Sequence, residues 1–500
     1  MAIFSSLQTS LLSLFPLIIL MYFFRIKWIS FNSKNKKNLP PSPWKLPIIG
    51  NFHQLGSSPN RSLQVLSQKY GPIMLLHFGS VPTLIASSAE AARDIMKVHD
   101  LSFSSRPSLT IPNILLYGSK DIGFAPYGEY WRQLKSIVVV HLLSKPRVRS
   151  FRQVREKEIS HMIGVLQENC GSLVDMGSLL VSHTNNIVCR VTIGRAYDGL
   201  KLVDLLSKFI NMLSVFSVGS YIPWLSWVDR LSGLEGNAKK VAKEFDEFLE
   251  DVIEEHLKKR GAGDANEGQD LVDILLDVQR DNTIDFDFSK DTLKAVILDI
   301  FAAGTDTIFT SLQWTISELI KHPRVMKTLQ QEVTEIAKGR SMIMEEELEK
   351  SQYLKAVIKE SLRLHPPAPL LLPRKSTQDV KLNGYDIPTG TQVIINAWAI
   401  GRDPVTWDDP EEFMPERFLN NSIEYNGLNF EWLPFGAGRR GCPGIQFTMV
   451  LVELALANLV YKFDFTLPHG IKNEELDMTE KIGITLRMKS SLMVIPSPRL

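Results

Sequence analysis

FGAGRRGCPG, Phe435 to Gly444, places one of the chain's three cysteines in a loop with four glycines, two arginines and a proline. Glycines let backbone N–H groups come close to the Cys442 sulfur, and such contacts tune a ligand as much as ligation does. The apolar run after Pro443 predicts a helix whose positive N-terminal end faces the same sulfur. A thiolate so held binds soft metals and can serve as the sole protein ligand of a haem iron, where its electron donation favours O–O cleavage. A turn with an incidental cysteine is the plainer reading, since glycine loops are common.

The other two cysteines, Cys170 and Cys189, are widely spaced and form neither a disulfide framework nor a zinc pattern. The composition is that of a globular protein, 44% hydrophobic and 22% charged, with 56 basic against 55 acidic side chains in 500 residues. That balance argues against nucleic acid as a partner. Ala2 to Phe24 carries no charge and is long enough to span a bilayer. Arg25, Lys27, Lys34, Lys36 and Lys37 follow it, and no acidic residue precedes Glu90. The positive flank keeps the body on the cytosolic side. No basic residue precedes the run and no small-residue cleavage site follows, so residues 1–24 read as a retained single-pass anchor rather than a cleaved signal.

Residues 25–51 form the basic flank and a neck, LPPSPWKLPIIGN, whose four prolines favour extended, semi-rigid backbone. Residues 52–500 read as one large domain, mainly α with a minor β portion. Strand patterns fall at IMLLHFG, PTLIAS and TQVIINAW. Helical patterns cover Tyr127 to Leu142, Pro146 to Cys170, Gly236 to Lys259, Lys290 to His322, Gln352 to His365 and Ile445 to Tyr461. Gly261 to Asp270 is too polar to pack and reads as a surface loop.

Within Lys290 to His322 the stretch VILDIFAAGTDTIFTSLQW is apolar nearly throughout, yet holds Gly304, Thr305, Asp306 and Thr307 at its middle. Helix propensity does not explain a glycine and two threonines there. Threonine can bond back to a carbonyl and bend a helix, which is one reading. KESLRLHPP sets Glu360 and Arg363 three residues apart on one helix face.

Together these segments resemble the cytochrome P-450 superfamily, plant microsomal type, family-71 clan. FGAGRRGCPG meets that family's fixed positions at Phe435, Gly438, Arg440, Cys442 and Gly444. The resemblance implies the P-450 fold, with haem b bound by Cys442. AAGTDT is similar to the family's oxygen-activating segment, which implies Asp306 and Thr307 as the acid–alcohol pair. It implies Trp131, Lys135, Arg374 and Arg440 as partners of the haem carboxylates, with Phe435 and Gly436 in the haem loop. Glu360, Arg363 and Arg417 of PERF would form a structural network. Three positions depart from the family pattern: Ile308, Lys135 and Gly441.

By the same analogy the substrate pocket is lined by Ile111, Leu115, Leu298, Ala302, Ala303, Ala368, Leu372 and Ile484. Its apolar character implies a lipophilic substrate such as a terpenoid, alkaloid or phenolic. The implied activity is an O₂-dependent monooxygenase on the endoplasmic reticulum membrane. Its electrons would come from NADPH through a separate flavoprotein reductase, with a cytochrome b-type protein as a further donor. Arg132, Lys135, Arg439 and Arg440 would make the proximal face basic toward an acidic donor. The alternatives are a haem-thiolate isomerase or dehydratase needing no O₂, and a non-catalytic membrane-tethered haem- or lipid-binding protein.

Overall fold

The structure, a computed structural model, describes residues 37–197, 199–261, 269–280 and 288–499. The anchor and most of the basic flank, and most of the polar stretch 261–270, lie outside the described residues. The principal helices are α1 (Pro59–Tyr70), α2 (Glu129–Ile137), α3 (Arg152–Glu168), α4 (Met176–Ile193), α5 (Gly199–Leu213), α6 (Leu234–Gly261), α7 (Leu271–Arg280), α8 (Lys290–Lys321), α9 (Pro323–Ala337), α10 (Tyr353–Leu364) and α11 (Ile445–Lys462).

α8 starts where the Ser289 side chain accepts the Thr292 N–H at 3.3 Å. It stops at His322, because Pro323 disfavours helical geometry in the residue before it. Leu293 to Leu298, Leu312 and Trp314 to Ile320 are buried, so α8 runs through the middle of the main core. α11 is apolar on all sides and equally enclosed, as expected of a helix with no polar face. α4 begins at Asp175, which accepts the Ser178 N–H at 3.0 Å, and ends at Gly194 in the left-handed conformation. It lies against α8 closely enough that a Cβ on Gly304 would stand 3.3 Å from Val188 Cγ2.

Two expected helices are interrupted. The segment from residue 127 is regular only to Ile137; Val138 to Leu142 form a wider turn in which Leu143 N donates to Val138 O at 2.9 Å. Three successive valines crowd a regular helix there. The segment from 146 breaks at Phe151, between a short helix Lys145–Ser150 and α3.

The β portion has two parts that matter for the site. Strands β1 (Ile73–Phe78) and β2 (Val81–Ala86) form a hairpin, and β2 pairs in parallel with β4 (Gln392–Ile395). The two-residue strand β3 (Arg374–Lys375) adds antiparallel to β4, with Arg374 opposite Val393. Near the C-terminus β5 (Glu480–Ile482) and β6 (Leu486–Met488) form a second hairpin. Trp314 of α8 donates to Leu486 O at 2.8 Å and stacks on His365 at 4.0 Å, which joins this hairpin to the core.

Candidate active site

The loop before α11 is closed by Cys442 N, which donates to Phe435 O at 3.0 Å. Gly436 and Gly438 have φ of 63° and 67°, a conformation that disfavours other residues. At Gly438 the constraint is also steric, since a Cβ would stand 2.3 Å from Met96 O. A Cβ at Gly441 would press on Gly438 O at 3.2 Å, so this departure from the family pattern relieves a tight contact. Gly444 N donates to Cys442 Sγ at 3.3 Å. The sulfur borders a cavity of about 370 Å³. Cys189, by contrast, is buried in the core, which pushes its thiol up to about 12, and Cys170 donates to Leu166 O.

Cations gather on the wall beside this sulfur. Arg374 donates to Asp100 Oδ1 at 3.2 Å and to Ala437 O at 2.8 Å. Arg440 donates only to carbonyls, those of Ser104, Ile122 and Ala125, and lies 4.0 Å over the Trp131 ring. Arg106, which sequence reasoning missed, likewise donates to the carbonyls of Gly123, Leu372 and Pro373. Burial, then the charges of Arg440 and Arg374, hold Arg106 well below the usual arginine range. Such buried, incompletely paired positive charge calls for an anionic ligand. A haem would meet that demand with its carboxylates while Cys442 would supply a thiolate ligand, so the residues present fit the group.

Two of the expected haem partners are oriented differently. Trp131 Nε1 donates to Ile122 O at 3.0 Å, so its ring supports Arg440 rather than offering its N–H to the cavity. Lys135 Nζ donates to the Arg439 and Gly441 carbonyls and thereby ties α2 to the cysteine loop.

Across the cavity lies the middle of α8. Thr307 Oγ1 donates to Ala303 O at 2.6 Å and borders the cavity. Asp306 is buried, and its carboxyl is pushed up by burial against the opposing pull of Arg487 and Thr485. Thr485 donates to Asp306 Oδ2 at 2.6 Å, and Arg487 of β6 pairs with Oδ1. Arg487 was not singled out from the sequence. Its signal was a charge between the two apolar residues of a short strand, LRM.

The cytochrome P450 family model matches residues 40–494. The chain is a cytochrome P450. It is 64% identical over 499 residues to Cytochrome P450 Tp4149 of Tanacetum parthenium, with 100% of both chains covered. A 3-beta-hydroxylase of the same species is 56% identical over 499 residues, covering 99% of this chain and 100% of that one. The solved structure of a zebra fish cytochrome P450 with progesterone superposes with a TM-score of 0.76 at 27% identity, over 88% of this chain and 99% of that one. The expected P450 fold is therefore shown. P450s are haem-dependent monooxygenases that act on lipophilic substrates with a redox partner, and this P450 is an oxidoreductase of that class.

In this P450 the cavity wall differs in part from expectation. Ala302, Ala303, Ala368, Leu372 and Ile484 line it, together with Phe435 and Gly436. Ile111, Leu115 and Leu298 do not; they are 1%, 2% and 0% exposed and face the core. The reason at Leu298 is helical period, which turns Asp299, Ile300, Ala302 and Ala303 to the cavity and Leu298 away. The segment around Ile111 is a short helix, Thr110–Leu115, whose inner face fills the core.

Glu360 and Arg363 pair through two bonds of 2.7 and 2.8 Å, and Arg417 donates to Glu360 Oε1 at 3.0 Å. Glu360 and Arg363 are fully buried. Arg363 also donates to the carbonyls of Gly401, Pro410 and Glu412, which fastens the loop before PERF to α10. On the proximal side, Arg132 pairs with Glu129 and Arg439 with Asp100, so much of that basic face is already partnered.

Proposed function

We propose that this P450 is a membrane-anchored monooxygenase that oxidises a lipophilic plant specialised metabolite, such as a terpenoid, alkaloid or phenolic, using O₂ and electrons from NADPH delivered by a separate flavoprotein reductase. The observation that carries the reading is the single cysteine held by a glycine loop on the same cavity as the buried Arg106 and Arg374 and the partly buried Arg440. With haem bound at Cys442, the cofactor supplies O₂ activation and C–H oxidation.

The chain's own residues then have defined tasks. Cys442 provides the ligand, and the Gly444 N–H steadies its charge. Arg106, Arg374 and Arg440 neutralise the haem carboxylates. Asp306, held by Thr485 and Arg487, relays protons through its carboxyl, and Arg487, partly exposed at 23%, links it toward solvent. Thr307 passes a proton into the cavity when its hydroxyl turns from the Ala303 carbonyl. Ile308 is buried and offers no second hydroxyl. Apolar side chains such as Val188, Val191, Phe209, Ile210 and Leu213 exclude water and hold an apolar substrate. The presence of both Asp306 and Thr307 favours an O₂-dependent reaction over a peroxide rearrangement.

The membrane reading rests on the anchor sequence and on an exposed apolar face. Trp44, Ile48 and Ile49 of the neck are exposed, as are Phe216, Trp224, Trp227 and Leu231. Phe52 joins these two segments by ring contacts of 4.6 Å to Phe216 and 5.4 Å to Tyr221. Such a patch of tryptophans fits the bilayer interface. It supports a membrane-bound body, in keeping with the proposed location on the endoplasmic reticulum with the body cytosolic.

The test is reconstitution with reductase and NADPH on a panel of terpenoids, alkaloids and phenolics, with mass-spectrometric detection. An oxygenated or oxidatively coupled product that requires NADPH is expected. Product formed without NADPH or O₂ contradicts the reading.

A further inference from the structure

Five aromatic rings follow one another in contact from the cysteine loop toward the surface. Phe435 borders the cavity, and its carbonyl accepts the Cys442 N–H at 3.0 Å. Tyr425 meets Phe435 edge to face, with ring centres 6.2 Å apart. Trp432 lies 5.5 Å from Tyr425, Phe418 of PERF lies 5.6 Å from Trp432, and Trp407 lies 5.6 Å from Phe418. Trp407 in turn borders a surface depression of about 450 Å³, which Glu431, the chain neighbour of Trp432, also lines. These spacings are ordinary for packed aromatic pairs, so packing alone assigns the chain no chemistry.

The protons and charges around the rings do more. Tryptophan and tyrosine give up one electron far more readily than phenylalanine, and they differ in what becomes of the proton. An oxidised phenol must lose its proton to a base, whereas an oxidised indole keeps its N–H where no acceptor takes it. Trp432 Nε1 and Trp407 Nε1 are buried, and among the described residues neither has a partner. An unpaired buried donor is costly and calls for an explanation. Burial, then Glu453 and Glu424, push the Tyr425 phenol well above its ordinary value, so its proton is hard to remove.

A cation over a ring is attracted to its electrons and opposes the loss of one. Lys359 Nζ lies 5.3 Å over Tyr425, and the Arg363 guanidinium lies 5.3 Å over Trp407. Trp131, which borders the cavity itself, carries Arg440 at 4.0 Å and Lys135 at 5.3 Å. Among the described residues no cation stands over Trp432. Of the rings near the cysteine loop, Trp432 therefore combines a readily oxidised ring, a retained proton and no opposing cation.

We propose that Trp432 is a one-electron donor to the haem, which discharges oxidising equivalents that reach the cavity when no substrate is there to take them. This inference rests on the monooxygenase reading. Each transfer takes one electron from Trp432 past Tyr425 and Phe435 and leaves an indole radical cation that keeps its N–H proton. Two such transfers, with two protons from solvent, return a two-electron-oxidised haem to rest and release its oxygen as water. A one-electron reductant at the surface depression, such as ascorbate, refills Trp432 through Trp407 and Phe418. Two ascorbate anions supply the two electrons and release two protons, each leaving as its radical. The structural alternative is that the five rings only pack the segment before the cysteine.

The test uses full-length, haem-loaded protein in lipid nanodiscs without substrate. Peracetic acid serves as the two-electron oxidant, so neither O₂ nor NADPH is needed. Freeze-quenched samples are read by electron paramagnetic resonance, and haem survival by the Soret band. Wild type should give an organic radical whose spectrum narrows with ring-deuterated tryptophan and not with ring-deuterated tyrosine. Ascorbate should shorten the life of that radical. Trp432→Phe should lose the signal and bleach its haem several-fold faster, while Trp131→Phe should keep the signal per haem. Should Trp432→Phe fail to fold, the labelled wild type and Trp131→Phe still decide. A signal that responds to tyrosine deuteration, persists in Trp432→Phe or vanishes in Trp131→Phe overturns the assignment, as does a wild type with no radical. Haem bleaching equal in wild type and Trp432→Phe overturns the protective role. Protein that purifies without thiolate-ligated haem would instead count against the monooxygenase reading, whatever the radical signal.

Discussion

Thr307 uses its proton to reach the Ala303 carbonyl, the pattern of a threonine that bends a helix, yet the same hydroxyl borders the cavity. The two roles are compatible if the hydroxyl alternates between them. Thr307→Ala should leave haem content and substrate affinity nearly unchanged while more of the consumed NADPH ends as hydrogen peroxide or water. With Ile308 next in line, no neighbouring hydroxyl rescues the loss. Product yield per NADPH equal to wild type would reduce Thr307 to its structural role. Arg106 gives a second residue-scale prediction. Its guanidinium contacts only carbonyls, so its charge is available to a bound anion. A charge-assisted bond in a buried site is worth about 1.5–3 kcal/mol, so Arg106→Leu should weaken haem retention by roughly tenfold or more, measured as haem transfer to apomyoglobin. Unchanged transfer would remove Arg106 from the haem site.

At the scale of elements, two buried ionic clusters hold helices in place. Glu360, Arg363 and Arg417 fasten α10 to the PERF segment. Glu360→Ala leaves two arginines without their carboxylate, which should cost about 3–5 kcal/mol in denaturant unfolding. A loss under 1 kcal/mol would show that the arginine–carbonyl bonds suffice alone. The second cluster joins α6 to α7. His256 Nδ1 faces Val252 O at 2.7 Å and Nε2 faces Asp270 Oδ2 at 2.8 Å. Both ring nitrogens meet acceptors, so the ring is an imidazolium. Asp270 in turn accepts the Asp273 N–H at 2.9 Å and caps α7. Burial lowers the His256 pKa, but the bond and charge of Asp270 outweigh it, and the net shift is upward from 6.5. A raised histidine stabilises most below the unfolded value and loses that contribution as pH rises through the folded one. Hydrogen exchange of the α7 amides, corrected for its intrinsic pH dependence, should therefore show weaker protection at about pH 9 than at about pH 6. His256→Gln should flatten that difference; an unaltered difference would place its origin elsewhere.

For the molecule as a whole, the features legible in the sequence were those written locally. The cysteine loop, the break in apolar pattern at AAGTDT and the Glu360–Arg363 spacing each lie within one segment. The helices α8, α10 and α11 followed from period and caps. What stayed hidden depends on contacts across the chain. Arg374 meets Asp100 from 274 residues away, and Arg487 meets Asp306 only once the C-terminal hairpin docks on α8. Leu298 and Asp299 differ by one position, and only the packing of α8 decides which faces the cavity. Helix α4 was not singled out because its polar residues, among them Thr184, Asn185 and Thr192, face other helices rather than water.

The cysteine loop, the cationic wall and the middle of α8 all border one cavity at Cys442, and one spectrum tests its role. The reduced, carbon monoxide-saturated protein should show the long-wavelength Soret band of thiolate ligation, and Cys442→Ala should lose that band while Cys170→Ala and Cys189→Ala keep it. An unchanged band in Cys442→Ala, or its loss in either of the other two variants with Cys442 intact and the protein folded, would contradict the account.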